Sequence, residues 1–190
     1  MDISNHPVTS REYKLMLNVD RFKDREQASE VFLSLLDFLV SKEGGSVEEQ
    51  NEEERRQTSY LDTPEGALRQ KGFALRLRVE DDDEEEFQIN LKYRASDRYI
   101  SAAQDLSSTQ EGKTKFEEDI LPPFVSKFSH SISIETDTAP ELGTMNKVMD
   151  LFPRLRELDI DENTPVETVN DFNVLEVVRK LCKLNLMRNP

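Results

Sequence analysis

From Arg11 to Asn18 apolar and polar positions alternate, with Arg11, Tyr13, Leu15 and Leu17 set against Glu12, Lys14, Met16 and Asn18, and that rhythm predicts a strand. The next segment, DREQASEVFLSLLDFLVSKEGG, has helical spacing. Val31, Phe32, Leu35, Leu36 and Leu39 form a stripe, Asp24 precedes it as N-cap with Gln27 three residues on, and Gly44 ends it. Gln57 to Asp62 reads as another strand. TPEGALRQKG then reads as a short helix with Thr63 as cap, Pro64 in its first position and Gly72 as stop. FALRLRVE follows at once, with Phe73, Leu75, Leu77 and Val79 on one face and Ala74, Arg76, Arg78 and Glu80 on the other. Phe87, Ile89, Leu91 and Tyr93 alternate with Gln88, Asn90, Lys92 and Arg94 in a further strand. Residues 95–112 read as a loop, and Lys115, Glu117 and Asp119 then alternate with Phe116, Glu118 and Ile120 up to Pro122-Pro123. FSHSISIE predicts a strand, Pro140 to Leu158 contains a helix, and DFNVLEVVRKLCKLNL suits a helix, a strand or one after the other.

The predicted strands share one property: an apolar face and a face carrying ionisable or amide groups. Glu12 accompanies Lys14, Arg76 accompanies Arg78, Asn90 accompanies Lys92, and Lys115 accompanies Glu117 and Asp119; Tyr60 with Asp62 is the weaker case. The apolar faces pack on helices, so the charged faces point to bulk water or into a wet cavity. Pattern alone leaves both open. Arginine and lysine concentrate on the central strands and carboxylates on others, a segregation that suits a polyanionic ligand. Lys127, Ser129, Ser131, Ser133 and Glu135 share a face too, a candidate for part of a second wall, although serine-rich alternation is more often the mark of an edge strand facing water.

Composition narrows the setting. The chain has 190 residues, enough for one domain or a domain with a subdomain, 34% of them charged and none Trp. No apolar run approaches the roughly 20 residues that span a bilayer, and MDISNHPVTSRE is unlike a secretory signal, so a cytoplasmic protein without a membrane partner is expected. A formal charge of -14 argues against nucleic acid. The two acidic runs, Glu48 to Glu54 and Glu80 to Glu86, read as solvated loops. A lone Cys182 excludes an internal disulfide, and with two His it cannot build an ordinary zinc site, so any metal would be held by oxygen. His6 and His130 have no nucleophile or metal partner at a useful spacing, Asp62 reads as the acid of a strand-to-helix turn, and Cys182 as a small buried hydrophobe.

The strings REYK, YLDTPEGALRQKGFALRLR, INLK and KFEED, in this order and at these spacings, resemble the CYTH family, the triphosphate tunnel metalloenzymes. The likeness covers about residues 10–120 of what reads as a single domain, 1–190. It implies an α+β fold, an eight-stranded antiparallel β-barrel open at both ends with flanking helices, whose charged interior holds a triphosphate. Carried over by position, Lys14, Arg76, Arg78, Lys92 and Lys115 become phosphate ligands and Glu12, Glu117 and Asp119 ligands of Mg2+ or Mn2+, with Glu12, Lys14 and Glu117 nearest the chemistry. The implied activity is metal-dependent hydrolysis of inorganic tripolyphosphate, a nucleoside triphosphate or thiamine triphosphate. A non-catalytic polyphosphate- or nucleotide-binding domain and an adenylate cyclase are the alternatives, and a homodimer is compatible with any of them. Ser10 stands where the family has its first glutamate, Lys115 replaces an arginine, and Asp119 replaces a glutamate. In 121–190 the family's later strands are not evident, so the barrel has either diverged there or is incomplete at its carboxyl-terminal end.

Overall fold

A computed structural model describes residues 8–14, 18–45, 49–54, 56–80, 86–170 and 178–181. Along the chain lie β1 (Ser10–Tyr13), α1 (Arg25–Lys42), β2 (Glu49–Glu54), β3 (Arg56–Asp62), α2 (Ala67–Gln70), β4 (Phe73–Glu80), β5 (Phe87–Ala95), α3 (Arg98–Ala102), β6 (Lys113–Leu121), β7 (Val125–Thr136), α4 (Met145–Leu151), β8 (Glu167–Asn170) and β9 (Val178–Leu181). They divide into two compact units, one of Met1–Lys14 with Arg55–Glu176 and one of Leu15–Glu54 with Val177–Pro190. His6, Leu15 to Leu17, Glu48 and Cys182 lie outside the described residues, as do 81–85 of the second acidic run and most of the ambiguous tail.

The first unit is α+β, built on a seven-stranded sheet in the order β1-β6-β7-β5-β4-β3-β8. Every neighbouring pair is antiparallel except β1 with β6, which run parallel, so the sheet is mixed and not wholly antiparallel as the resemblance implied. The reason is connectivity: antiparallel neighbours can be joined by tight turns, whereas β1 reaches β6 from about a hundred residues away, and such a long connection permits either direction. Thr9 fixes the register, its N–H donating to the Phe116 carbonyl at 2.7 Å. Among the described residues no ladder joins β1 to β8.

The apolar side chains of the sheet face the core. Leu75, Ile89, Leu91, Ile132 and Ile134 pack with Leu68 of α2, with Met145, Val148 and Met149 of α4, and with Phe152 and Leu155 of the 3₁₀ turn Pro153–Leu158. His130 lies on this side, its Nδ1 3.0 Å from the Gln104 carbonyl and its ring edge-on to Phe116, away from the charged face. The helix expected from Thr63 starts later, at Ala67, because Gly66 adopts a left-handed conformation (φ 71°) first. The N-cap is therefore Gly66 and not Thr63, although the Thr63 hydroxyl still accepts from the Ala67 N–H at 2.9 Å. Asp62 is buried and accepts the N–H groups of Thr63, Leu68 and Arg69 at 2.8–3.0 Å, the turn-forming task expected of it. Gly72 ends the turn at φ 86°, where a Cβ would meet the Tyr93 ring at 2.9 Å. The stretch read as a loop over 95–112 contains the short helix α3, which Asp97 caps through the N–H groups of Tyr99 and Ile100.

In the second unit, Asp24 caps α1 by accepting the Gln27 N–H at 3.1 Å, and Gly44 (φ 79°) follows the helix end. The acidic segment expected to be a loop is β2, paired antiparallel with β9 through Glu53↔Arg179 and Glu54↔Val178. Strand pairing is a backbone property, and a partner strand suffices where side-chain alternation is absent. Among the described residues no helix is long and apolar enough to cross a membrane.

Candidate functional site

Strand register assembles the charged face row by row. Arg76 stands opposite Tyr60 on β3 and Asn90 on β5, and Asn90 opposite Ser133 on β7, which faces Lys113 on β6. One row along, Lys92 faces Ser131 and Ser131 faces Lys115. In the next, Arg94 faces Ser129, which faces Glu117, which faces Ser10. In the last, Lys127 faces Asp119 and Asp119 faces Glu12. Because neighbouring strands place paired residues on the same side, the side chains of each row converge.

They converge on a cavity of about 710 Å³. Among the described residues seven cationic side chains line it, Lys14, Arg76, Arg78, Lys92, Arg94, Lys113 and Lys115, with the carboxylates Glu12, Glu117 and Glu135 and the neutral Tyr60, Gln88, Asn90, Ser131 and Ser133. Both β1 and β3 contribute, although they stand first and sixth in the sheet. In a flat sheet the five strand spacings between them would hold them about 24 Å apart, so the sheet curls strongly around its charged face. Burial agrees. Asn90, Glu117, Asp119, Ser129 and Ser131 all lie on that face and are between 0% and 6% exposed, which an open solvated sheet does not allow.

Of the eight residues that the sequence put forward, Glu12, Lys14, Arg76, Arg78, Lys92, Lys115 and Glu117 line the cavity; Asp119 shares their face but is buried beneath Lys14 and Arg94. The serine-bearing strand is the clear departure from expectation. The pattern favours an edge facing water over a second wall, yet β7 is central, between β6 and β5, and its Ser131 and Ser133 are the floor of the cavity. Their small side chains leave the space into which the cations project. Arg94, Lys113, Glu135 and the amides of Gln88 and Asn90 also line the cavity, although none of them was among the eight. Carrying the alternation one step beyond Lys92 and one step before Lys115 finds Arg94 and Lys113.

Internal pairing makes the two ends of the cavity different. At one end, Lys14 Nζ lies 2.8 Å from Asp119 Oδ1, an ion pair without the alignment of a good hydrogen bond, and 3.0 Å from Glu12 Oε2. Arg94 Nη2 donates to Asp119 Oδ2 at 2.7 Å, Lys92 Nζ to Glu117 Oε2 at 3.4 Å, and Ser10 Oγ to Glu117 Oε1 at 3.2 Å. Burial alone would lower the Lys14 pKa, but the close contacts with the carboxylates of Asp119 and Glu12 outweigh it and hold it above the usual lysine value. Lys92 goes the other way: burial, aided by the nearby charges of Lys14 and Arg94, lowers its pKa against the pull of Glu117 and Asp119. Toward the other end, Lys113 pairs with Glu135 at 3.1 Å, and Arg76 Nε is buried with no hydrogen-bond partner among the described residues. A buried, unsatisfied guanidinium donor is costly, by about 1–3 kcal/mol, and a phosphate oxygen would satisfy it.

The divalent metal implied by the resemblance fits this donor set in chemistry and not in arrangement. Three carboxyl groups on adjacent strands are the hard oxygen donors that Mg2+ or Mn2+ takes. Both oxygens of Asp119 and both of Glu117 already face cationic or hydroxyl donors, and no group of three or more potential ligands converges among the described residues. Comparison with family models, curated proteins and solved structures finds no match.

Proposed function

We propose that the protein binds a small anion bearing a triphosphate along the charged face of its curled sheet. The observation that carries this reading is the gathering of seven cationic side chains around one cavity in a chain of net charge -14. A random scatter of surface charge would not oppose the sign of the whole molecule so locally, and such a concave cationic wall focuses field on an anion. Arginines 76 and 78 supply planar forks for phosphate oxygens; Lys92 and Lys115 supply point charges, and the serines and Asn90 supply neutral donors between them. The order of REYK, LDTP, LRLR, INLK and KFEED, which resembles the CYTH family, supports the same ligand class. On this reading the curl of the sheet continues into a tunnel. The support is that β1 and β3 share one cavity and that carboxylates on the inner face are buried.

Hydrolysis of the bound triphosphate is the second reading, favoured by Glu12 and Glu117, which line the same cavity from β1 and β6. Phosphoryl transfer asks a protein mainly to position the phosphates, neutralise developing charge and orient a water. A carboxylate beside a cationic wall meets the last of these. Binding is tested by the thermal unfolding of the purified chain with inorganic tripolyphosphate and, separately, orthophosphate, since a ligand of the native state raises stability by mass action. A rise with tripolyphosphate and little with orthophosphate is expected; no rise with either removes the binding reading. Phosphate release measured with and without Mg2+ or Mn2+ tests the second reading, which fails if no phosphate is released in any condition.

A further inference from the structure

The acidic end of the cavity already contains a cation. Lys14 Nζ stands between Glu12 Oε2 at 3.0 Å and Asp119 Oδ1 at 2.8 Å, and the guanidinium of Arg94 closes the remaining oxygen of Asp119 at 2.7 Å. Asp119 is 1% exposed, so a carboxylate there requires a permanent positive partner, and two are supplied by the chain itself. Beside it Glu117, also buried, is held by Lys92 and the Ser10 hydroxyl. A magnesium ion needs about six oxygen ligands at about 2.0–2.1 Å, and to obtain protein ligands here it would have to displace an ammonium from a site where two carboxylates hold it. Resting on the triphosphate reading above, we propose that Lys14 is the resident cation of this acidic end and that the cavity binds triphosphate without a divalent metal. Glu12 and Asp119 then act as positioning residues: they fix the Lys14 ammonium, and Asp119 fixes Arg94, at the height where both can meet a phosphate chain laid over the serine floor.

The test uses the full chain, inorganic tripolyphosphate and Mn2+ as separate probes. Calorimetry in EDTA should give a Kd for tripolyphosphate within about threefold of that measured with Mg2+ after correcting for the metal–phosphate complex in solution. At least tenfold tightening by Mg2+ would overturn the proposal. Titration of Mn2+ followed by electron paramagnetic resonance, with no phosphate present, should show no tight site in the native chain, whereas Lys14→Met, which keeps the stem and frees Glu12 and one oxygen of Asp119, should gain one and lose at least tenfold in metal-free tripolyphosphate affinity. Lys147→Met, outside the cavity beside Glu141, makes the same change of charge and should behave like the native chain in both assays, and the far-ultraviolet circular dichroism of Lys14→Met should match the native chain, which separates loss of this charge from loss of fold. A tight Mn2+ site in the native chain sinks the proposal. If tripolyphosphate fails to bind under every condition, the underlying reading falls, and the Mn2+ titration still decides the role of Lys14 because it needs no phosphate.

Discussion

Replacing Arg76 with alanine removes one guanidinium from the cationic wall, where its Nε is buried and lacks a partner among the described residues. Charge-assisted hydrogen bonds contribute about 1.5–3 kcal/mol each. Taking about 2 kcal/mol, Arg76→Ala should weaken tripolyphosphate binding about thirtyfold. The free protein should change little, because relief of an unsatisfied donor, about 1–3 kcal/mol, opposes the lost burial of the arginine stem. These two expectations separate a ligand-binding arginine from a structural one. With ligand at about 100 times the native Kd, mass action adds about 2.7 kcal/mol to native stability, and about thirtyfold weaker binding leaves about 0.9 kcal/mol. For a chain of this size that is a ligand-induced rise of about 5–11 °C falling to about 2–4 °C. The measurement is calorimetry at about 0.15 M salt, to screen nonspecific attraction, alongside thermal melts with and without ligand. Lys147→Ala, outside the cavity beside Glu141, is the control of equal charge change. An Arg76→Ala protein that binds like the native chain, or no worse than Lys147→Ala, refutes the reasoning.

Three further outcomes follow from the geometry. Ser131→Asp puts a carboxylate on the floor between Lys92 and Lys115 and should abolish detectable tripolyphosphate binding by calorimetry while leaving the far-ultraviolet circular dichroism intact. Asp62→Ala strips the Thr63, Leu68 and Arg69 N–H groups of their acceptor, which at about 1 kcal/mol each lowers Tm by about 6–12 °C in a thermal melt. Asp105 is held below its ordinary 3.8 by the backbone and hydroxyl of Ser107 and then by Arg154, so its contribution is present above that pH and disappears as pH falls through the lower folded value. Urea unfolding of Asp105→Asn should therefore differ from the native chain at neutral pH and converge with it in strong acid; a difference that persists or grows there counts against the assignment.

Much of the site is visible in sequence because strand alternation is local. Arg76 with Arg78, Asn90 with Lys92 and Lys115 with Glu117 each declare a face within three residues, and the two i+2 extensions, Arg94 and Lys113, carry the same signal. What alternation does not declare is the neighbour. Ser129, Ser131 and Ser133 look like a wet edge until β7 is found between β5 and β6, where small residues make room for cations from both sides. Asp119 likewise looks like a ligand in a series, and only the approach of Lys14 and Arg94 from other strands shows that its oxygens are already engaged. The segment at Glu48 to Glu54 misleads for the opposite reason: charge density describes side chains, while β2 is made by the backbone of β9 more than a hundred residues later.

The parallel seat of β1 on β6 also governs the order in which the site can come into being. Glu12 and Lys14 are made early in synthesis but have no place to stand until Ile120 exists to accept the Lys14 N–H. The loop that must close is long, so this wall belongs to the slow, nonlocal part of folding, after the hairpins of β4 with β5 and β6 with β7. Once formed, a four-residue edge strand is also the cheapest piece to release. A single local opening would withdraw Lys14 and Glu12 together, so ligand affinity and amide exchange at β1 are coupled: whatever anchors the ammonium of Lys14 should slow exchange across the whole strand.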